Sequence, residues 1–469
     1  FGRLNYNYKE KYLLEVNGRY DGTSRFMKDQ RWNFFPSFSL GWNVARENFW
    51  KPLESVVNQF KLRGSWGELG NQNTSNLYPF YEILPVKSNS GNWLVNGGKT
   101  NTADIPSLVS TLLTWERVRS FNVGFDFGAF SNRLTGSFDY FVRKTVDMVG
   151  PAPQLPLVLG IAPAIVNNAD MKSYGFEIEL SWRDRIGEVD YGVKFNLADA
   201  QQKVVKYPNT TNAFSDWYAG KMSGEIWGYT SLGIAKTDEE MKEHLASLPN
   251  GGQNQLGNKW GAGDIMYADI NGDGKVDGGK GTLADPGDQR IIGNSTPRYN
   301  FGLVLDTSYK GFDVSIFFQG VGKRDYAPIV GTNGAVFWGA VNNIWQSMAM
   351  EEHFDYFRPE GHPMGANLNG YYPRPDFTSN KNHQVQTRYL QDASYIRLKN
   401  LQIGYTLPKQ WINKLHINRC RVYVSGDNLW TGTSLASMFD PETLAAGDWG
   451  SGKTYPLSKV ISFGLNVNF

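Results

Sequence analysis

Large apolar residues occupy every second position over much of the chain. In the last nine residues, ISFGLNVNF, isoleucine, phenylalanine, leucine and valine alternate with serine, glycine and asparagine. A period of two is typical of a β-strand with one apolar face. The pattern predicts thirteen strands, at 2–8, 12–21, 36–45, 59–68, 115–128, 134–142, 174–183, 188–200, 297–308, 311–322, 394–407, 418–427 and 456–469.

Charged residues occupy many positions on the other face of these strands. Examples are Glu15, Arg19, Lys61, Arg63 and Lys194. A soluble sandwich would expose that face to bulk water and bury the apolar face in a core. A membrane barrel would place it in a wet lumen and turn the aromatic face to lipid. Thirteen consistent strands favour the barrel.

The connections between the predicted strands alternate in length, as the barrel interpretation requires. Outer-membrane barrels join their strands by short periplasmic turns and longer external loops. With the last strand ending on the periplasmic side, the long connections all fall outside the cell. The predicted external loops are 22–35, 69–114, 143–173, 201–296, 323–393 and 428–455.

Two segments depart from the simple pattern. Residues 225–235 read EIWGYTSLGIA and resemble a strand, but a fourteenth strand would break the alternation, so we expect them outside the membrane. In 394–407, Arg397 and Lys399 share a face with Leu401 and Ile403. A bulge or register shift would explain that change of face.

Composition agrees with a barrel and excludes other classes. The formal net charge is +2, so no basic field indicates a nucleic-acid partner. Mean hydropathy is −0.43 and no run of 18 apolar residues occurs, which excludes a helical membrane protein. Aromatic residues make up 14% of the chain, as expected of strands that are half apolar. Cys420 is the only cysteine, which excludes internal disulfides and cysteine-rich metal sites.

The two ends of the chain also carry information. The chain opens on FGRLNYNY, already a strand pattern, without an initiator methionine or signal peptide, so we expect a fragment whose N-terminal part lies elsewhere. At the other end, Phe469 completes an alternating strand. We interpret it as a membrane-assembly signal of the kind that outer-membrane assembly machinery recognises.

Several long motifs resemble one family closely. RLNYNYKEKYLLEVNGRYDGTSRF at 3–26 and RWNFFPSFSLGWNVARENFW at 31–50 are similar to the mid-barrel signature of SusC-like TonB-dependent transporters of Bacteroidetes, also called the SusC/RagA family. LTWERVRSFNVGFDFGAFSNRLTGSFDYFVRKTVDM, DINGDGKVD, DQRIIGNSTPRYNFGL and the closing ASYIRLKNLQIGYTLPKQW extend the similarity. The resemblance runs from the first residue to the last.

This resemblance implies an all-β fold, a transmembrane antiparallel barrel of about 22 strands in the cell outer membrane, closed inside by a plug domain. The thirteen strands would be its C-terminal part, with the plug and the TonB box outside this chain. The implied partners are a SusD-like surface lipoprotein that acts as a lid, the TonB–ExbB–ExbD complex acting through the N-terminal part, and outer-membrane lipid. Substrate would be an oligosaccharide or a peptide.

The motif DINGDGKVD matches the first half of a calcium loop. Oxygen donors alternate and Gly274 occupies the sharp turn. Position twelve is Lys280, which cannot act as a bidentate ligand; in the family a later Asp serves, so Asp285 or Asp288 would have to fold back. The predicted ligands are Asp269, Asn271, Asp273, Lys275 through its backbone carbonyl, Asp277 and Asp288. We expect Ca²⁺, with Mg²⁺ second; the alternative is an Asx and glycine turn without metal.

Aromatic residues in the predicted external loops are candidates for substrate binding. Flat rings can stack on sugar faces while nearby Asp and Asn hydrogen-bond the hydroxyls. The candidates are Trp217, Tyr218, Trp227, Trp338, Trp345 and Trp449. The alternative is that such rings pack the loops or bind the lid, or, for Trp430, anchor the barrel at the membrane interface.

No motif indicates catalysis. The five histidines are scattered, MEEHF is not an HExxH zinc helix, and no GxSxG occurs. The sequence therefore predicts a non-enzymatic, TonB-dependent active importer of oligosaccharides or peptides. Two alternatives stay open: a non-transporting outer-membrane barrel that uses its loops for adhesion or glycan binding, and a soluble calcium-dependent glycan-binding β-protein.

Overall fold

Thirteen strands form one large sheet in a computed structural model of the chain, and neighbours in the sheet follow chain order. The residues described are 1–469 apart from 73, 75–76, 152–155, 157, 159, 162, 329–334, 340–348, 378, 414–415 and 445–453. The strands of this sheet are β1 Gly2–Tyr8, β2 Tyr12–Gly22, β3 Trp32–Asn43, β4 Val57–Asn71, β9 Glu116–Ala129, β10 Leu134–Val149, β11 Asn167–Ile186, β12 Val189–Lys206, β17 Arg298–Tyr309, β18 Phe312–Lys323, β21 Tyr395–Thr406, β22 Arg419–Thr433 and β23 Val460–Asn468.

All thirteen predicted strands are confirmed, and most are longer than predicted. The strand expected at 174–183 covers Asn167–Ile186, for example. Tight turns join several neighbours, such as Gly187–Glu188 and Lys310–Gly311. The observed bounds give one exception to the alternation of connection lengths, because 44–56 is longer than 23–31.

Smaller elements lie in the long connections. Paired short strands are β5 Val86–Lys87 with β8 Thr102–Ala103, β6 Leu94–Val95 with β7 Gly98–Lys99, β13 Glu225–Gly228 with β16 Arg290–Asn294, β14 Ser231–Ile234 with β15 Ile265–Tyr267, and β19 Asp325–Tyr326 with β20 Gln391–Asp392. The α-helices described are α1 Asp238–Ala246, α2 Ala335–Trp338 and α3 Lys409–Ile412, with short 3-10 helices at Lys28–Gln30, Val44–Arg46, Asn48–Leu53, Glu351–Phe354 and Thr387–Tyr389. Among the described helices, none has the length and apolar character needed to cross a membrane.

Both departures from the simple strand pattern are confirmed. The segment 225–235 forms β13 and β14, which belong to small sheets and not to the large one. In β21, the register shifts against both neighbouring strands between Leu398 and Asn400, which makes Lys399 a bulge residue. Ile396 and Leu398 therefore share a face with Leu401 and Ile403, although their parity along the sequence differs.

The chain divides into two compact units. The first comprises residues 1–177 and 200–222, and the second comprises 178–199 and 223–469. The first unit has a small core of Phe26, Phe35, Leu113 and Trp115. The second has a larger core in its connecting segments, described below.

Candidate functional site

The polar face of the first unit carries a cavity. Its volume is about 480 Å³, and its lining includes Asn5, Asn7, Ser39, Ser65 and Asn122, together with charged residues of the neighbouring strands. Amide and hydroxyl groups donate and accept hydrogen bonds, and they carry no charge. This part of the inner face can therefore bind hydrophilic, uncharged groups.

The charges on this inner face largely neutralise one another. The Arg63 guanidinium lies 2.8 Å from carboxylate oxygens of both Asp126 and Asp139. Two parallel N–H to carboxylate bonds are a strong and geometrically specific arrangement. At this level the inner face therefore carries fixed ion pairs, and neither positive nor negative charge dominates.

The apolar face of the same unit has aromatic residues spaced as a membrane requires. Tyr12 and Tyr20 lie on one face of β2, and their side chains are 47% and 61% exposed. Eight residues of strand span about 27 Å, or about 21 Å perpendicular to a bilayer at the usual tilt. Tyr20 stacks on Trp32 with centroids 5.3 Å apart, and Tyr8 stacks on Tyr12 at 6.4 Å. The spacing of these two groups fits the apolar band of a transmembrane barrel, about 25 Å tall.

The connecting segments of the second unit pack into a body of their own. We call residues 223–297, 324–394 and 434–444 of the described chain the loop body. Its core consists of Tyr229, Leu248, Ile265, Tyr267, Val276, Tyr326, Phe337, Trp338, Tyr372, Tyr389, Ala393, Leu435, Phe439 and Leu444. Burial on this scale gives the loop body a fixed shape instead of a set of independent loops.

A buried ion network joins two segments of the loop body. The Asp264 carboxylate is fully buried and accepts hydrogen bonds from Arg374, Lys381 and Asn382 at 2.6 to 2.9 Å. The Lys381 ammonium, also buried, lies 5.0 Å from the centre of the Trp260 ring. Each charge therefore has partners, which is the condition under which a buried ion is tolerated.

The predicted metal loop is closed by Asp288 and not by Asp285. Asp288 is fully buried, and its carboxylate accepts hydrogen bonds from the backbone N–H groups of Ile270 at 2.7 Å, Asn271 at 3.3 Å and Asp277 at 2.8 Å. These three bonds tie the two ends of the motif together. Asp288 therefore folds back onto the loop across the insertion, as the predicted ligand set requires.

The other carboxylates of the motif bind the backbone of the loop. Asp269 accepts from Gly272 and Gly274 N–H at 2.6 and 2.8 Å, and Asp273 from Lys275 N–H at 3.2 Å. Gly274 has φ +80°, a conformation that favours glycine. The donor set is entirely oxygen, which suits Ca²⁺. No group of three or more His, Cys, Asp or Glu side chains within the described ranges is placed to hold a metal ion, so the metal role stays a prediction.

An ammonium group is the positive charge nearest these carboxylates. Lys275 Nζ lies 2.5 Å from Asp277 Oδ2 and 3.8 Å from Asp273 Oδ2. The hydrogen bond from Lys275 lowers the pKa of Asp277, and the same bond raises the pKa of Lys275. A bound cation would have to displace this side chain.

The candidate aromatic residues differ in accessibility. Trp338 is fully buried in the loop body, where its Nε1 donates to the Pro328 carbonyl at 3.3 Å and its ring contacts Tyr389 at 4.8 Å. In this conformation Trp338 packs the loop body, as the alternative predicts. Trp227, in β13, is half-buried.

Two further candidates belong to the first unit. Trp217 is half-buried against Tyr207, with ring centroids 5.9 Å apart. Tyr218 is half-buried, and the Lys221 ammonium lies 5.4 Å from its ring centre. Both rings keep a surface that a substrate could reach, and their role in binding stays a prediction.

The remaining predicted site residues lie on the next-to-last strand of the sheet, beyond the last strand, or outside the described residues. Trp345 and Trp449 lie outside the described residues. Phe469 is 80% exposed beyond the end of β23. Trp430, on β22, is 50% exposed.

Sequence reasoning missed the buried network around Asp264. Asp264 and its partner Arg374 are separated by 110 positions in the chain, and no local motif marks either residue. The buried Lys381 over the Trp260 ring marks this network in the folded structure, but the sequence around Lys381 does not reveal it.

Comparison with known proteins identifies the family. The sequence profile described as TonB dependent receptor-like, beta-barrel matches residues 1–429. TonB-dependent receptor P3 of Formosa agariphila is 30% identical, with 100% of this chain and 45% of the relative covered. TonB-dependent receptor SusC of Bacteroides thetaiotaomicron is 24% identical, with 100% of this chain and 43% of the relative covered. The chain therefore spans about half the length of these relatives.

Solved structures show the same fold. The structure of the RagAB peptide transporter aligns with a TM-score of 0.75 at 22% identity, covering 100% of this chain and 47% of that one. The RagAB peptide importer in its open-open state aligns with a TM-score of 0.74 at 23% identity, covering 46% of that chain. The chain has the all-β fold of an outer-membrane barrel, and it belongs to the TonB-dependent receptor β-barrel family.

Proposed function

We propose that the chain is the barrel portion of an active importer in the outer membrane, which takes up oligosaccharides or peptides under a SusD-like lipoprotein lid. The lid and the external segments would trap the substrate. TonB, driven by the inner-membrane proton gradient through ExbB and ExbD, would then open a path along the polar inner face. The residues of this chain would supply the wall of that path and part of the capture surface.

The chemistry of the inner face is the observation that carries this proposal. The cavity on the first unit is lined by neutral amides and hydroxyls beside Glu15, Lys61 and Asp139, and its Arg63 is paired with Asp126 and Asp139. When sugar hydroxyls or peptide groups leave water for this cavity, hydrogen bonds to its amides and hydroxyls can replace the hydrogen bonds that they made to water. A hydrophilic substrate with little net charge therefore suits this surface better than a strongly charged one.

A transport assay tests the proposal. The full-length gene is deleted in its native host, and uptake of an oligosaccharide mixture and of a peptide mixture is followed by mass spectrometry of the medium. We expect uptake from one of the two mixtures to fall, and to fall equally in a strain that lacks TonB. Surface binding that persists without any TonB-dependent uptake would contradict import and favour the non-transporting binding module.

The lid is supported by an apolar surface in the connection before β9. Leu84, Val86, Leu94, Ile105 and Leu112 are each more than half exposed. Five exposed apolar side chains in one connection are the observation that supports a contact here, since large exposed apolar patches mark protein interaction sites. We propose that this segment contacts the lipoprotein.

Co-purification tests that contact. Leu94→Asp in the full-length transporter should reduce the lipoprotein recovered per transporter about tenfold or more, since loss of a central apolar contact typically costs 2 kcal/mol or more. Lys99→Gln, at the cross-strand partner of Leu94, is the control and should keep normal recovery. Equal recovery with both variants would exclude this segment as a contact.

Calcium binding by the 269–288 loop is a separate proposal. The oxygen donors and the closure by Asp288 support it, and Lys275 would ligate through its backbone carbonyl after its side chain has moved away. Ca²⁺ should slow hydrogen exchange of residues 269–288 relative to a chelator, and Asp269→Asn should abolish that effect. Asp285→Asn is the control. Exchange that is insensitive to Ca²⁺ would favour a metal-free turn stabilised by Lys275.

A further inference from the structure

Neighbouring strands of the first unit change from apolar to basic on the same face. On β9 the apolar face ends at Phe121, and the next residue on that face is Arg119. On β10 Lys144 follows Val142 on that face, with Val146 beyond it. On β11 the apolar face ends at Tyr174, with Lys172 beyond it. Strands β9, β10 and β11 are consecutive in the sheet.

The register places these basic residues close together. Arg119 is the cross-strand partner of Lys144, just as Phe121 is the partner of Val142. Between β10 and β11, the Asp147 N–H donates to Asp170 Oδ1 at 3.0 Å. Lys144 lies three residues from Asp147 on β10, and Lys172 lies two residues from Asp170 on β11, on the same side of this contact. The three side chains therefore form a basic row across three strands, which we call the basic row.

Two lysines of the basic row have no carboxylate partner among the described residues. Arg119 lies 3.5 Å from Glu68, which also lies 3.5 Å from the neighbouring Arg117. Lys144 and Lys172 form no ion pair in the part of the chain that the structure describes, and the Lys172 ammonium lies 5.2 Å from the Tyr174 ring centre. Two of the three positive charges in the basic row are therefore available to an external anion.

Nearby acids do not cancel this charge. Asp147 lies 3.7 Å from Arg117, and Asp170 binds a backbone N–H. Both belong to the ends of their strands beyond the basic row. Their carboxylates add negative charge further from the apolar band, and neither pairs directly with Lys144 or Lys172.

The position of the basic row along the strands fixes its depth. The row lies near the end of each strand that adjoins the long connections 72–115 and 150–166, which is the external end in an outer-membrane barrel. A charge within the hydrocarbon is costly, and the cost falls nearly to zero at the interface. The basic row therefore lies where the headgroups of the outer leaflet are.

We propose that Arg119, Lys144 and Lys172 bind the phosphate of an anionic lipid headgroup in the outer leaflet. Guanidinium and ammonium groups are the usual ligands of phosphate, and an outward-facing basic cluster at headgroup depth meets lipid phosphate before any soluble anion. The proposal rests on the outer-membrane location of the barrel and not on import, so it stands or falls separately from the proposed function.

Native mass spectrometry of the full-length transporter tests this site. The probes are lipid A with its phosphates and the same lipid after enzymatic dephosphorylation, each titrated into detergent micelles that contain the protein. The wild-type protein should bind the phosphorylated lipid more tightly. Each basic side chain near a membrane surface contributes about fivefold in affinity, so Lys144→Gln with Lys172→Gln should weaken binding about 25-fold.

Arg143→Gln is the matched control, because Arg143 adjoins Lys144 on the opposite face and pairs with Ser120. It should bind the phosphorylated lipid as the wild type does. All variants must show the heat-dependent electrophoretic shift of a folded barrel. Equal binding of both lipids by the wild type, or unchanged preference in the folded double variant, would overturn the proposal.

Discussion

At the scale of single residues, the side chain of Arg63 crosses a neighbouring strand to bind a carboxylate on the strand beyond it. Arg63 on β4 is registered with Gly124 on β9, which is registered with Asp139 on β10. Arg63 Nη2 lies 2.8 Å from Asp139 Oδ2. A Cβ atom at position 124 would collide with the Asp139 carboxylate and with the Phe138 carbonyl. The glycine therefore provides the space that the ion pair needs.

The second unit contains the same arrangement. Arg421 on β22 binds Asp313 on β18, with Nε 2.9 Å from Oδ1, and its guanidinium lies over Gly404 on the intervening β21. The ion pair again joins strands that are not hydrogen-bonded to each other. Such pairs fix three strands together, and they require a glycine in the middle strand.

Substitution of Gly124 tests this requirement. Gly124→Ala should destabilise the barrel by about 1–3 kcal/mol, the usual cost of forcing extra atoms into a packed site. Gly64→Ala on β4 is the control, because a Cβ there has no atom within 4 Å. The measurement is the urea midpoint of the full-length protein in vesicles. Equal midpoints for the two variants would show that the carboxylate simply moves aside.

His383 is a buried titratable group in the loop body. Its side chain is 1% exposed, and neither ring nitrogen has a hydrogen-bond partner in the described structure. Its ring centroid lies 4.5 Å from that of Trp338. Burial lowers the pKa of His383 to about 4, while the negative charge of Asp376 opposes the shift. The folded loop body therefore holds a neutral imidazole.

This histidine predicts an acid-sensitive loop body. An unfolded histidine binds a proton below about pH 6.5, but the folded one does so only near pH 4, so stability is full above pH 6.5 and falls between pH 6.5 and 4. The loss is about 3 kcal/mol, from about 1.36 kcal/mol per pH unit. Hydrogen-exchange protection of loop-body peptides, taken relative to the intrinsic rate at each pH, should fall at pH 4.5 in the wild type and fall less in His383→Leu. His416→Asn, at an exposed position, should behave as the wild type; an equal loss of protection in all three would exclude His383 as the cause.

At the scale of elements, hydrophobic alternation located every strand of the sheet but not every strand end. The strand predicted at 134–142 continues to Val149, and the one predicted at 174–183 begins at Asn167. Their additional residues include Lys144 and Lys172, where the outward face is no longer apolar. Backbone pairing continues beyond the apolar band, so a pattern based on lipid contact ends too early.

The loop body could not be predicted in the same way. Helix α1 is capped by Thr237, whose side chain accepts from the Glu240 N–H, yet it was not predicted. Its Met241 is 1% exposed, and most of a short helix's stability comes from such tertiary burial and not from its own sequence. The sequence leaves open whether Asp285 or Asp288 folds back onto the 269–277 motif. The fold of the insertion brings Asp288 there.

Loss of the Asp264 carboxylate should open the loop body. In Asp264→Asn the amide cannot accept from all of its present donors. Lys381, 1% exposed at its side chain, keeps its charge and retains only the more distant Asp376 carboxylate, at 3.8 Å. Breaking a buried pair in this way costs about 3–5 kcal/mol. Hydrogen exchange should accelerate in peptides covering 257–264 and 379–383. Asp376→Asn, 3.8 Å from Lys381 and partly exposed, is the control, and a similar effect of both variants would contradict the assignment of Asp264 as the main counter-ion.

At the scale of the whole molecule, the sheet separates two environments. On β2, Val16 lies on the apolar face midway between Tyr12 and Tyr20, at the level expected for the midplane of the bilayer. Ser39 on β3 lines the polar cavity and is the cross-strand partner of Glu15. These two positions lie at similar depth on opposite faces, so they report on the two environments separately.

An arginine at each position therefore distinguishes lipid from lumen. Val16→Arg should destabilise the full-length barrel in phospholipid vesicles by about 2–4 kcal/mol, because a cation at the bilayer midplane has no water and no counter-ion. Ser39→Arg should cost less than about 1 kcal/mol, since its guanidinium can reach Glu15 and solvent. The cost of Val16→Arg should also fall in vesicles of shorter-chain lipids, where the site lies closer to the headgroups. A cost that is the same in every lipid would mean that this face packs against protein, and the assignment of the two faces would have to be reversed.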